Sequence, residues 1–344
     1  MPRELIATAA STPALRGYED ADPKEGQVLV RTEFSACKHG TEAAMYHGEA
    51  GWMKKRMLPD MHLFVESDEK RKMFPVTLGN MFVGAVEKVG PKVEGMQTGD
   101  RVYGHGGARD SYTLPAERVR RMPEGVTPQE IVCIDPTEFA YGAIRDGSVR
   151  LGDNVGVFGL GAIGLMCVQL AKIAGAAQVF AIDPVKSRRD IALATGADVA
   201  FDPKETDVAL EIRKATNKVG LDVAIEYSGA PAALNEAIRS VGYGGTVAEG
   251  AVCKPSSPAL QLGDEFHWNR TNIISTRACS EPTLDHPRWN NRRIIESGLQ
   301  LFIEKRLEAD PIVTPIVPFA QAAEAYSKID KDPETYIKLA FTHA

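Results

Sequence analysis

Cysteine is scarce in this chain of 344 residues: there are five, at Cys37, Cys133, Cys167, Cys253 and Cys279. Their odd number and wide scatter do not fit a secreted disulfide framework, and no Cys-x-x-Cys pair is present to begin a four-cysteine structural zinc site. No run of 18 apolar residues occurs, so no segment reads as a membrane-spanning helix. A basic excess is also missing. Against 46 Asp and Glu stand 40 Lys and Arg, a formal net charge of −6, whereas phosphate binding needs a positive face. The opening Met-Pro-Arg-Glu-Leu-Ile is too short and too charged for a secretory signal. These absences lead to the expectation of a cytoplasmic protein with neither a membrane nor a nucleic-acid partner. What is present suits a globular protein: 44% of residues are hydrophobic, enough for a sizeable core, and 31 Gly with 21 Pro demand many tight turns.

The length suggests two domains, and the texture of the chain changes twice. Residues 1–150 read as short strands broken by Gly and Pro, among them Gln27–Thr32, Val83–Val89 and Asp100–Tyr103. Residues 151–285 alternate strands with helices, the pattern of a parallel sheet. Residues 286–344 carry two helix-like stretches, Arg292–Glu304 and Phe319–Lys328, around the apolar run Ile312–Val317. The segment from Gly48 to Pro75 is dense in charge (Lys54, Lys55, Arg56, then Glu66 to Lys72) and is expected to be a solvated loop, with a lid over a site as the sharper alternative.

The strongest motif is Asn154-Val-Gly-Val-Phe-Gly-Leu-Gly-Ala-Ile-Gly164. A short apolar strand, Val155–Phe158, runs into Gly159-x-Gly161-x-x-Gly164, and Leu165–Ile173 follows as a helix ending near Gly175. Gly159 permits the tight turn, Gly161 lets a pyrophosphate approach the backbone, and Gly164 allows the helix to pack on the strand. The phosphates would meet the helix N-terminus at Ala162 and Ile163. The second strand, Gln178–Ile182, ends in Asp183, 19 residues beyond Gly164, where an acid binds the adenosine ribose hydroxyls. A carboxylate there repels a 2′-phosphate, so NAD is favoured over NADP; Arg188, set to lie near the same ribose, does not outweigh it. Further strands at Asp198–Phe201, Leu221–Glu226, Gly245–Gly250 and Asn272–Thr276 bring the count to six, enough for a complete doubly wound Rossmann sheet, with Ser228 and Gly250 at strand ends where such sheets bind ligands.

Around this core the whole chain resembles the medium-chain dehydrogenase/reductase superfamily, in particular the zinc-type alcohol and polyol dehydrogenases. The landmarks are Thr98-Gly-Asp-Arg-Val102, Leu114-Pro-Ala-Glu117, Arg121-Met-Pro-Glu-Gly125, Gly159–Gly164 and Pro318-Phe-Ala-Gln-Ala-Ala-Glu-Ala-Tyr326. The resemblance implies an α/β protein: a GroES-like β-rich catalytic domain built from both termini, a Rossmann NAD-binding domain inserted between them, a small-molecule substrate, and a homodimer or homotetramer. It breaks at the metal motifs. Alignment through Gly48 places His39 at the first ligand position, Thr41 at the proton relay and Glu42 at the following acid, with Cys37 two residues too early. The usual Gly-His-Glu reads Gly79-Asn80-Met81, and the third ligand position reads Asp135-Pro136, with Glu138 nearby. At most two ligands survive where catalytic zinc needs three, so the pattern argues against tightly bound zinc. Ser35, Gly40, Thr41 and Glu42 match a branch, Ser-x-x-x-x-Gly-Thr-Glu, that often lacks the ligands.

Without the metal, a general base must take the alcohol proton. His39, with a reference pKa near 6.5, suits that role; Thr41 would hand the proton on, and Asp135 and Glu138 would orient the His or bind substrate hydroxyls. Glu138 reads equally well as an acid at a helix N-terminus, Cys37 as a small buried residue, and Tyr141 and His47 stand in reserve. A site holding Glu42, Asn80, Asp135 and Glu138 favours a polyhydroxylated substrate such as a sugar, sugar derivative or cyclitol. Two alternatives remain open on the sequence: a zinc-free quinone or enoyl reductase using NADPH, and an NAD-binding protein without turnover.

Overall fold

The computed structural model describes residues 1–48, 55–61, 63–66, 73–251, 260–329 and 331–343, without the side chains of His39, Thr41 and Glu66. The chain divides into two compact units, residues 1–132 with 314–344, and residues 133–313.

In chain order the first unit begins with β1 (Arg3–Ala9), β2 (Thr12–Gly17), β3 (Gln27–Ala36), α1 (His39–Tyr46), β4 (Lys55–Leu58), β5 (Leu63–Glu66), β6 (Val76–Thr77), β7 (Met81–Val89), β8 (Arg101–His105), β9 (Ser111–Pro115), β10 (Val119–Arg121) and α2 (Pro128–Val132). The second unit follows with α3 (Ile134–Asp146), β11 (Asn154–Phe158), α4 (Ala162–Ala174), β12 (Gln178–Ile182), α5 (Lys186–Ala194), β13 (Val199–Phe201), α6 (Val208–Ala215), β14 (Leu221–Glu226), α7 (Pro231–Ser240), β15 (Val241–Glu249), α8 (Glu265–Trp268), β16 (Asn272–Ser275) and α9 (Asn291–Ile303). The chain then re-enters the first unit as β17 (Ile316–Pro318), α10 (Ala322–Tyr326) and β18 (Ala340–Thr342).

The β-rich unit is organised around β3, whose apolar residues are buried along nearly its whole length. It pairs antiparallel with β7 along one edge and with β9 and then β18 along the other, so that Phe341 lies opposite Ser35 and Ala340 opposite Ala36. The last strand of the chain thus joins the sheet begun by the first hundred residues. Val28, Val30, Phe82, Val86 and Val102 fill one core. A second core joins Leu5, Cys37 and Leu78 to Phe319, Tyr326 and Phe341 from the C-terminal segment.

In the second unit six parallel strands run in the order β13-β12-β11-β14-β15-β16, the doubly wound arrangement with a reversal beside β11 where nucleotides bind. Val155, Val157 and Phe158 of β11 are fully buried, the signature of a strand covered on both faces. Gly175, at φ +96°, stops α4 in the left-handed conformation. The expected strands and helices are all present, with one difference: Phe319–Lys328 splits into a single 3-10 turn and the short α10.

The units divide at 132/133 and 313/314, whereas the sequence texture changes near 151 and 285. The physical reason is helix packing: α3 lies against α4 and α9, so segments outside the strand–helix alternation belong to its compact unit. Of the charged segment 48–75, Lys55 and Arg56 stand in the hairpin β4–β5; Lys54 and residues 67–72 lie outside the described residues. No helix among the described residues is long and apolar enough to cross a membrane.

Candidate active site

The dinucleotide cradle is assembled by close backbone approach. Gly159 turns the chain at φ +88°, and a Cβ there would stand 2.5 Å from the Ser228 nitrogen. At Gly164 a Cβ would lie 1.9 Å from the Gly159 carbonyl oxygen, so β11 and α4 meet this closely only because residue 164 has no side chain. Gly161 differs. It caps α4 with φ −72° and no side-chain hydrogen bond, and its Cβ would meet nothing within 4 Å. The first N–H groups of a helix have no partner within it, so those that open α4 beside Gly161 carry the positive end of the helix dipole.

Asp183, 4% exposed, sits at the end of β12. One oxygen accepts the Leu160 N–H at 2.8 Å and the other the Val185 N–H at 2.8 Å; Arg188 Nη1 approaches to 3.9 Å. The carboxylate therefore ties the glycine turn to β12 and keeps lone pairs for hydroxyl donors. Ser228 does not offer its hydroxyl to the cradle. It donates to Glu226 and accepts the Ala230 N–H at 3.0 Å. Glu226 is fully buried and also accepts the N–H groups of Ser228 (2.7 Å) and Gly229 (3.3 Å). Sequence reasoning passed over Glu226; an acid ending a buried strand just before Ser-Gly was the available signal. Gly250 donates its N–H to the Glu226 carbonyl oxygen at 3.0 Å, and its missing side chain leaves room for Tyr227, whose ring lies 2.3 Å from where a Cβ would stand. A nicotinamide dinucleotide fits this set of residues.

On α3, Asp135 and Glu138 are one turn apart and both buried. Glu138 accepts a hydrogen bond from Asn291 Nδ2 at 2.7 Å, which fastens it to α9. Tyr141 lies further along the same helix, its ring centroid 5.6 Å from that of Trp289.

In the other unit, α1 carries His39 and Thr41 in its first turn, and their side chains lie outside the described residues. Glu42 is 4% exposed. Its Oε1 accepts the Tyr326 hydroxyl at 2.7 Å and its Oε2 the Gly79 N–H at 2.8 Å. Burial pushes this carboxyl up to about 7, partly opposed by those two donors, by the Lys38 N–H and by Lys338. Cys37 has no exposure, and burial first, then Glu42, pushes its thiol well above the ordinary value, which suits a core residue rather than a nucleophile. Lys338 Nζ donates to the Cys37 carbonyl oxygen at 2.9 Å. Gly79, at φ +105°, lets its backbone pass Ala108, whose nitrogen would be 2.1 Å from a Cβ. His47 bonds Ser11 Oγ at 2.9 Å.

The described side chains at the metal-motif positions offer few donors for a zinc, and the side chain of His39 lies outside them. Met81 is core, 1% exposed; Asn80 stands where a His donor belongs, its Nδ2 buried without a hydrogen-bond partner among the described residues; and no group of three His, Cys, Asp or Glu converges among the described residues.

Comparison with known proteins agrees with both units. Residues 24–126 match the alcohol dehydrogenase GroES-like domain, and residues 162–286 match the zinc-binding dehydrogenase family. The chain is 39% identical over 348 residues to D-guloside 3-dehydrogenase of Escherichia coli K12, covering 99% of both chains. It is 31% identical to (R,R)-butanediol dehydrogenase of Bacillus subtilis, covering 70% of this chain and 73% of that one. Galactitol-1-phosphate dehydrogenase of Escherichia coli shares the fold with a TM-score of 0.76 at 18% identity, over 99% of each chain.

Proposed function

Since the chain belongs to the zinc-type alcohol dehydrogenases of the medium-chain dehydrogenase/reductase superfamily, we propose that it is an NAD-dependent dehydrogenase that interconverts a secondary alcohol and a ketone on a sugar, sugar derivative or cyclitol. The observation that carries the redox reading is the cradle at Gly161, open above the α4 N-terminus and bounded by the buried Asp183 carboxylate. The choice of substrate rests on the full-length likeness to an enzyme named for a guloside. The bound dinucleotide supplies the hydride acceptor. Gly161 admits its pyrophosphate, and Asp183 accepts hydroxyls of the adenosine ribose and disfavours a 2′-phosphate, which selects NAD. Thr41 takes the substrate hydroxyl proton and His39, as general base, accepts it from Thr41 and releases it to water. Asp135 receives substrate hydroxyls, and Glu138, held by Asn291, keeps its turn of α3 in place. No step is routed through a metal, since Asn80 stands at the His-ligand position and Met81 at that of the supporting Glu.

The chain is also proposed to act as a dimer through β16. That strand ends the sheet among the described residues; Ile273 on it, Trp268 five residues before and Tyr243 on the neighbouring β15 are 40%, 77% and 72% exposed respectively, an apolar edge suited to an isologous contact.

The test is NAD reduction followed at 340 nm against a panel of glycosides, polyols and simple alkanols. Turnover of glycosides, lost in Thr41→Ala and in His39→Ala, is the expected result. Turnover confined to alkanols refutes the substrate class, and a preference for NADPH moves the chain toward a quinone or enoyl reductase.

A further inference from the structure

Two ends of the Ser35–Glu42 motif are fastened by the last thirty residues of the chain. Ser35 Oγ bonds His343 Nε2 at 2.9 Å, while Glu42 accepts the Tyr326 hydroxyl. The second contact bears on chemistry, because the Glu42 carboxylate has one oxygen for each of two elements. Oε1 meets Tyr326 from α10, and Oε2 meets the backbone of Gly79. From Gly79 the chain passes directly to Asn80, whose N–H is bonded to the Ala36 carbonyl oxygen at 2.8 Å. Glu42 itself lies one residue beyond Thr41 on α1.

We propose that Tyr326 is a positioning residue: by orienting the Glu42 carboxylate it holds the α1 turn that carries His39 and Thr41 in register with the Gly79–Asn80 corner. The inference rests on the catalytic role assigned above to His39 and Thr41. Tyr326 is 2% exposed, its ring packed edge-on against Tyr46 at 4.9 Å, so the hydroxyl has a fixed direction. The charged and titratable groups facing Glu42 are the Tyr326 phenol, the Cys37 thiol just beyond β3 and Lys338 just before β18, with Tyr46 acting on the Tyr326 phenol. An ionised Glu42 accepts both donors at once. A protonated one turns a donor of its own toward one of them, and the latch loosens as pH falls.

Tyr326→Phe removes the oxygen and keeps the ring. The expected result is a fall in kcat/KM of about tenfold to a hundredfold, borne mainly by kcat, as misplaced catalytic groups produce. The NAD Kd and the far-UV circular dichroism stay unchanged. The acid limb of the pH–rate profile moves to higher pH, because the hydroxyl that favours the Glu42 carboxylate is gone. In a Glu42→Gln background the same substitution adds no further shift. Wild-type kcat/KM with a wild-type pH profile in Tyr326→Phe overturns the proposal, as does an equal shift in the Glu42→Gln background. If His39→Ala and Thr41→Ala both leave turnover intact, the catalytic reading fails and takes the positioning role with it; if both abolish turnover while Tyr326→Phe is silent, only the positioning role fails.

Discussion

The three glycines of the nucleotide turn are expected to respond differently to the same change. Gly164→Ala places a methyl carbon 1.9 Å from the Gly159 carbonyl oxygen, more than 1 Å inside any tolerable contact, so β11 and α4 must separate. Alanine gains up to about 1 kcal/mol in helix propensity over glycine, but overpacking costs about 1–3 kcal/mol or more, and the steric cost wins. In a compact unit of this size each kcal/mol moves the midpoint by about 2–4 °C, so a loss of several degrees is expected. Gly161→Ala has no such cost, since its φ of −72° suits any residue and nothing lies within 4 Å. Reduced freedom of the unfolded chain raises stability by about 0.4–1 kcal/mol. Its penalty falls only on the ligand, whose pyrophosphate loses one or two charge-assisted hydrogen bonds at about 1.5–3 kcal/mol each, a factor of about 10 to 100 or more in Kd. Thermal melts paired with NAD titrations by calorimetry read both quantities. If Gly161→Ala binds NAD with unchanged Kd, the pyrophosphate does not lie over α4, and the cradle has been assigned to the wrong ligand.

Asp183→Ser should shift the kcat/KM ratio from NAD toward NADP, because the repelling carboxylate goes while Arg188 remains; steady-state rates with both cofactors check it. The buried Glu42 makes folding depend on pH. Its folded-state value near 7 lies above the ordinary 4.5, so the folded protein holds that proton more tightly, and the carboxyl lowers stability progressively from about pH 4.5 to pH 7. The total is about 3 kcal/mol, and urea melts across that range should show Glu42→Gln with a flatter dependence. Trp268→Glu with Ile273→Glu should convert a dimer to a monomer in light scattering after size exclusion, with NAD binding retained. Dialysis against a strong chelator should leave the rate of glycoside oxidation unchanged, with metal content measured on the same sample.

The glycine turn, the six strands and the acid at 183 were legible in the sequence because each follows from a local rule: apolar runs for buried strands, glycine where backbones touch, an acid at the end of the second strand. The resemblance to medium-chain dehydrogenases added the expectation that both termini build one domain, and in the structure β18 lies beside β3. Other features left no local trace. Ser228 is legible as a strand-end residue, but its hydroxyl is spoken for by Glu226 two positions earlier, and Glu138 is drawn to Asn291 across 153 positions of chain.

By itself, then, the sequence determined the class of chemistry: a nicotinamide-binding sheet joined to a β-rich domain of the alcohol dehydrogenase type. Only the tertiary structure decided which side chains are already committed. Glu42 and Tyr326 are 284 positions apart, and their contact exists because the C-terminal segment packs into the core formed with Leu5, Cys37 and Leu78. Hydrophobic burial of that segment brings the hydroxyl to the carboxylate, and no spacing or periodicity along the chain encodes such a meeting.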